Sequence, residues 1–154
     1  MRANANGSIY ACGGIEVFLR EYPLSRGPAP ARAEMLLNLH RVIAVAIACR
    51  SGHLSGHETR FLRSVLGLTP EQLSDRLDLS AGTFQHHELC LLYLDQKNDV
   101  EIRRMIFTHL DLALPPFAEL DALYKASRPE RFVIAVKYDS ATNDWKRVEM
   151  PLAT

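Results

Sequence analysis

The chain has no surplus of charge of either sign: eighteen Lys and Arg stand against eighteen Asp and Glu in 154 residues. Nucleic-acid-binding proteins usually carry a basic excess, so any such surface here has to be a local patch. Cysteine is scarce. Cys12, Cys49 and Cys90 are odd in number, widely separated and without a Cys-x-x-Cys pair, which argues against a disulfide framework or a four-ligand zinc site. Cys49 on an apolar helix and Cys90 within ELCLLYL read as buried structural thiols, and Cys12 beside Gly13-Gly14 reads as a turn residue. The longest apolar run, residues 42–49, is far too short to span a membrane. The opening MRANANGSIYACGG lacks the apolar stretch of a signal peptide. A reducing, cytoplasmic setting with no membrane partner is expected.

Enzymatic signals are missing too. Gly13-Gly14 is not followed by the Lys-Ser or third glycine of a phosphate-binding loop, and no cysteine sits in the context of a nucleophile. His57-Glu58 begins like a zinc-protease helix, but Phe61 occupies the place of the second histidine. His53, His57 and the run His86-His87-Glu88 therefore read as ordinary surface groups. No catalytic residue, cofactor or metal is expected.

What is present is a globular pattern, with 47% hydrophobic residues in a chain long enough to bury a sizeable core. Ile15, Val17 and Leu19 alternate with Glu16, Phe18 and Arg20, and with the run before Gly13-Gly14 they suggest a β-hairpin. Residues 23–32 hold three prolines and a glycine and read as a linker. Residues 33–50 carry Met35, Leu36, Leu39, Val42, Ile43, Ala46 and Ile47 at helical spacing, with further apolar residues on the other faces. Such a helix is a core element and a candidate dimer contact.

Residues 54–88, LSGHETRFLRSVLGLTPEQLSDRLDLSAGTFQHHE, spell three short helices. Ser55 and Glu58 form a capping box for the first, which ends at Gly67. Thr69 caps the second, with Pro70 at its first position and Gln72 completing the box. Asp78-Leu79 makes a turn, Ser80 caps the third helix, and Phe84 anchors it. Two helices joined by so short a turn, the second entered through a serine cap, have the spacing of a helix-turn-helix.

This stretch resembles the Xre-type, lambda-repressor-like helix-turn-helix regulators, whose pattern runs roughly LTGxEIRxLRxxLGLSQxxLAxxLGVSxxTVxRWE. The matches fall at Leu54, Gly56, Glu58, Arg60, Leu62, Arg63, Leu66, Gly67, Leu68, Leu73, Leu77, Ser80, Thr83 and Glu88. Upstream, YACGGIEVFL and LHRVIAVAIA resemble a leader of some prokaryotic members, antitoxin-like proteins among them. The resemblance implies a homodimeric DNA-binding transcriptional regulator acting on double-stranded DNA, with a toxin as a candidate protein partner. On that reading Ser80, Thr83, Gln85 and His86 face the groove, and Arg60 and Arg63 meet phosphates. The sequence departs from the pattern at Pro70, where the family usually carries Gln, at Ala81-Gly82, and at His86-His87 in place of Arg-Trp. Gly82 costs the helix roughly 1 kcal/mol relative to alanine. Within 54–88 three arginines (60, 63, 76) face five carboxylates (58, 71, 75, 78, 88), a balance of −2, unfavourable for phosphate contact. The alternative expectation is therefore a protein-interaction module that keeps the scaffold without binding DNA.

Beyond it, residues 96–99 interrupt, 100–112 read as a helix stopped by Pro115-Pro116, and 117–126 as a short one. The tail suggests a hairpin, 132–138 with 145–150. One hairpin alone is marginal in water, so the two termini are expected to share one small antiparallel sheet, or to pair between subunits. The expected fold is α+β and mainly helical: an N-terminal hairpin and linker (1–32), a helical domain (33–127) and a C-terminal hairpin (128–154).

Overall fold

The computed structural model describes residues 2–4, 7–12, 15–20, 29–129, 132–139, 141–142 and 144–148. Its elements run β1 (Arg2–Asn4), β2 (Gly7–Cys12), β3 (Ile15–Arg20), α1 (Ala29–Ala48), α2 (Gly56–Leu66), α3 (Pro70–Arg76), α4 (Ala81–Glu88), α5 (Gln96–His109), α6 (Phe117–Lys125), β4 (Val133–Asp139) and β5 (Asp144–Arg147). The fold is α+β and mainly helical. The chain divides into two compact units, Met1–Ala46 with Arg131–Thr154, and Ile47–Glu130.

The first unit is built on a sheet of order β1-β2-β3-β4-β5. Strands from both ends of the chain do share it, but it is mixed, not antiparallel throughout. β2 pairs antiparallel with β3, and β4 with β5, whereas β3 and β4 run parallel, Val17 against Ile134 and Leu19 against Val136. Tight hairpins force antiparallel pairing only on strands adjacent in sequence. β3 and β4 are separated by all six helices, ample for the crossover a parallel pair needs. Ile15, Val17, Leu19, Ile134, Val136 and Trp145 are buried, as the alternation requires, and Phe18 is buried with them. Trp145 Nε1 donates to the Met35 carbonyl of α1 at 3.0 Å, so the one polar atom of the largest side chain is satisfied inside.

Helix α1 begins at Ala29, inside the stretch read as linker. Pro30 is compatible with this because a first-turn residue needs no backbone N–H. The rest of the linker and the Gly13-Gly14 turn lie outside the described residues. Cys49 is exposed, contrary to the buried thiol expected, because α1 ends at Ala48 and the next residue already turns away.

The second unit holds α2 to α6 around Leu54, Phe61, Leu62, Leu73, Leu77, Phe84, Val100, Ile102, Ile106 and Leu120, all buried. Full burial contributes roughly 1.5–3 kcal/mol for each large apolar side chain. Residues 96–99 do not interrupt the chain but form the first turn of α5, capped by the Asp95 carboxylate on the Asn98 N–H. Polar residues are at home there, since the first turn offers unpaired N–H donors to an acidic cap. No helix among the described residues is long and apolar enough to cross a membrane.

Candidate nucleic-acid interface

The local rules of helix termination place the three helices of residues 54–88. Ser55 accepts from the Glu58 N–H while Glu58 accepts from the Ser55 N–H, and Thr69 with Gln72 repeats the arrangement. Gly67 closes α2 in the left-handed region at φ 69°, and its N–H and that of Leu68 recover the carbonyls of Ser64 and Arg63. Asp78 closes α3 in the same way at φ 54°, with the Leu79 N–H on the Ser74 carbonyl. Each pair of bonds satisfies carbonyls that a helix end leaves open.

α4 enters through Ser80, whose Oγ accepts from the Thr83 N–H at 3.1 Å and donates to Thr83 Oγ1 at 2.8 Å. Both hydroxyls are exposed but already serve each other. Ala81, Gly82, Gln85 and His86 are exposed, and a Cβ on Gly82 would meet nothing within 4 Å. Gln85 and His86 make no side-chain hydrogen bond among the described residues. The outer face of α4 is therefore accessible, small at its start and polar further along.

The two arginines read as phosphate contacts have different fates. Arg60 is exposed on α2 and has no ion-pair partner among the described residues. Arg63 is half-buried: its Nε lies 2.7 Å from Glu88 Oε1, its Nη2 3.4 Å from Oε2, and its Nη1 donates to the Leu68 carbonyl. It ties α2 to the end of α4 and caps a loop carbonyl. Between these helices opens a cleft of about 380 Å³ lined by Arg60, Arg63, Pro70, Glu71, Ala81, Gln85, Glu88 and Leu89. Arg60 is its cation without a fixed anion; Glu71 stands opposite in charge on the same wall.

His87 faces the other way. It is buried, with Nε2 2.7 Å from Thr59 Oγ1 and Nδ1 2.9 Å from the Leu92 carbonyl. Neutral imidazole fits both: Nδ1–H donates to the carbonyl and Nε2 accepts from the hydroxyl. Burial holds its pKa below the ordinary histidine value, since charging it would place a cation in a low-dielectric site. Of the adjacent pair, His86 reads outward and His87 fixes the helix. The same closeness governs Gly56, where a Cβ would collide with the His87 carbonyl oxygen. His53 also departs from the free surface group expected, lying stacked on Tyr124 with ring centroids 4.2 Å apart.

No family model, curated protein or solved structure matches this chain.

The scaffold is held by a buried ionic network that the sequence pattern did not disclose. Arg50 engages Glu58 through Nε and Nη2 at 2.6 and 2.7 Å. Burial pushes the Glu58 carboxyl up, but the Arg50 guanidinium and the Ser55 N–H outweigh it, and the net direction is down. Arg103, fully buried, bonds Asp99 at 2.8 Å and the carbonyls of Ala48, Arg50 and Gly52. Asp99 also accepts from the Leu54 N–H. These arginines fix the loop that carries Ser55 and so the start of α2. An Asp four residues before an Arg, as Asp99 stands to Arg103, is legible as a helix pair; a guanidinium gathering carbonyls some fifty positions upstream is not. Among the described residues no group of three or more His, Cys, Asp or Glu is placed to hold a metal.

Proposed function

We propose that the protein is a prokaryotic DNA-binding transcriptional regulator of Xre-like helix-turn-helix type, with the antitoxin of a toxin pair as its class of role. The observation that carries the reading is α4: a short Ser80-capped helix, anchored inward by Phe84 and His87, whose outward residues Ala81, Gly82, Gln85 and His86 are accessible. Gln85 and His86 would meet base edges in the major groove, Ala81 would contact a thymine methyl, and Arg60 would meet a phosphate. Ser80 and Thr83 would set the register of the helix start. Arg63 would act by positioning, through Glu88. A homodimer would set two α4 helices about 34 Å apart, one turn of DNA.

The test is fluorescence anisotropy of full-length protein with labelled duplex from the region upstream of its own gene, across a range of salt. Binding at low salt that weakens as salt rises supports the reading. Absence of binding at low salt to any duplex overturns it. Exposed leucines following α4 favour a second reading, in which the scaffold serves a protein partner.

A further inference from the structure

A second convergence of side chains lies on the helical unit, built by the loop before α2, the loop after α4 and the end of α6. His53 stacks on Tyr124 at 4.2 Å with planes 12° apart, and Tyr93 meets His53 edge-on at 5.3 Å. Beside them a notch of about 200 Å³ is lined by Gly52, His53, Tyr93, Ala126 and Arg128. Its walls are tied together: the Gly52 N–H donates to the Leu123 carbonyl, and Ser51 Oγ to the Ser127 carbonyl. Gly52 has φ 89°, and a Cβ there would lie 2.8 Å from that of Arg128, so no larger residue allows the approach. Arg128 spends only Nη1, on the His53 carbonyl at 3.1 Å and on Glu58 at 3.0 Å. Its side chain is 44% exposed, and Nε and Nη2 donate to nothing among the described residues. Half a guanidinium fork left over at a notch suits a carboxylate.

The stretch of chain that enters the notch at Tyr93 is apolar. Leu89, Leu91, Leu92 and Tyr93 are all exposed, Leu91 by 71% and Tyr93 by 63%. Cys90 among them is exposed as well, against the buried thiol expected, because it stands in the left-handed position that ends α4, at φ 62°. This segment is nonetheless fixed. The N–H groups of Cys90 and Leu91 bond the carbonyls of His87 and His86, and the Leu92 carbonyl bonds His87. A surface already ordered pays little conformational entropy on binding, and Tyr and Arg are the side chains most often found as interface anchors.

We infer that the notch and the exposed residues 91–93 that lead into it form one docking site for a segment of another protein. That segment carries a carboxylate side chain, seated on Arg128, beside apolar residues that pack on Leu91 and Tyr93. Charge decides against a polyanion: the unit has nine cations for twelve carboxylates, counted over residues 47–130. A single carboxylate with apolar neighbours uses the one fork available and avoids that net repulsion. The site shares no residue with the base-facing part of α4 and stands whether or not the protein binds DNA.

The probe is a phage-displayed random peptide library panned on immobilised full-length protein, with enriched peptides then titrated against soluble protein. The expected result is enrichment of segments pairing Asp or Glu with adjacent apolar residues. Changing the acidic residue to its amide should weaken binding about tenfold, which corresponds to about 1.4 kcal/mol. Arg128→Lys, which keeps the charge but not the fork, should reduce that preference. Leu91→Ser should weaken acid and amide peptides alike while the fold, followed by circular dichroism, is unchanged. Enrichment that is the same on wild type, Arg128→Lys and Leu91→Ser overturns the proposal. So does self-association of the wild-type protein that Leu91→Ser abolishes, since a second copy would then own the surface. None of these readouts involves duplex DNA, so failure here and failure of the regulator reading are separable.

Discussion

Two groups of arginines in the helical unit are spent in opposite ways. Arg50 and Arg103 are buried and heavily bonded, each to a carboxylate and to backbone carbonyls lying between Ala48 and His53. Arg60 lies on the surface with no fixed anion among the described residues, and Arg63 stands between, tied to Glu88. Breaking a buried pair leaves an uncompensated charge in low dielectric, whereas an exposed cation loses little when removed. This unit has therefore committed much of its positive charge to architecture, and its formal balance understates how little remains for an external partner.

That contrast can be broken from its strongest end. Arg103→Met should lose about 3–5 kcal/mol in denaturant unfolding, because buried Asp99 loses its cation and three carbonyls lose the donor that Arg103 gives them. A loss under 1 kcal/mol would show that the network is not what fixes the loop. Arg63→Ala should lose about 1–3 kcal/mol, the range of a hydrogen bond to a charged group, whereas Arg60→Ala should stay within about 0.5 kcal/mol. Duplex binding should respond in the reverse sense, with Arg60→Ala lowering the salt slope by about one.

The buried imidazole sharpens the same division between its outward and inward neighbours. His87 has a folded pKa below the unfolded value of about 6.5. Its contribution is thus present above that value and lost as pH falls through the folded pKa. Unfolding midpoints should drop from pH 6.5 downward in the wild type. In His87→Gln that part of the slope should disappear, while His86→Gln should leave it in place. In the opposite direction, Gly82→Ala should stabilise the protein by about 0.5–1 kcal/mol, since the added methyl meets nothing and the unfolded chain loses freedom.

The caps were legible in the sequence because a cap is a short-range bond: Ser55 to Glu58, Thr69 to Gln72 and Ser80 to Thr83 each span three positions. The same locality explains why α2, α3 and α4 begin where expected. Misreadings arose where a local cue had a second meaning. A polar run at 96–99 looked like an interruption and proved to be a first turn, and apolar neighbours around Cys90 suggested burial where a helix was ending. Arg63 looked like a free cation because its partner, Glu88, lies twenty-five positions away.

The amino-acid sequence by itself determined the capped helices α2, α3 and α4, the hairpin strands and the inward Phe84 of α4, since periodicity and capping are decided within a turn or a pleat. Only the tertiary structure decided that β3 and β4 run parallel, that Arg50 and Arg103 are buried on Glu58 and Asp99, that His87 turns inward while His86 remains out, and that exposed Tyr93 shares a notch with Arg128. Those outcomes depend on which distant groups share a space, and burial then sets how strongly each charge or polar atom must be satisfied.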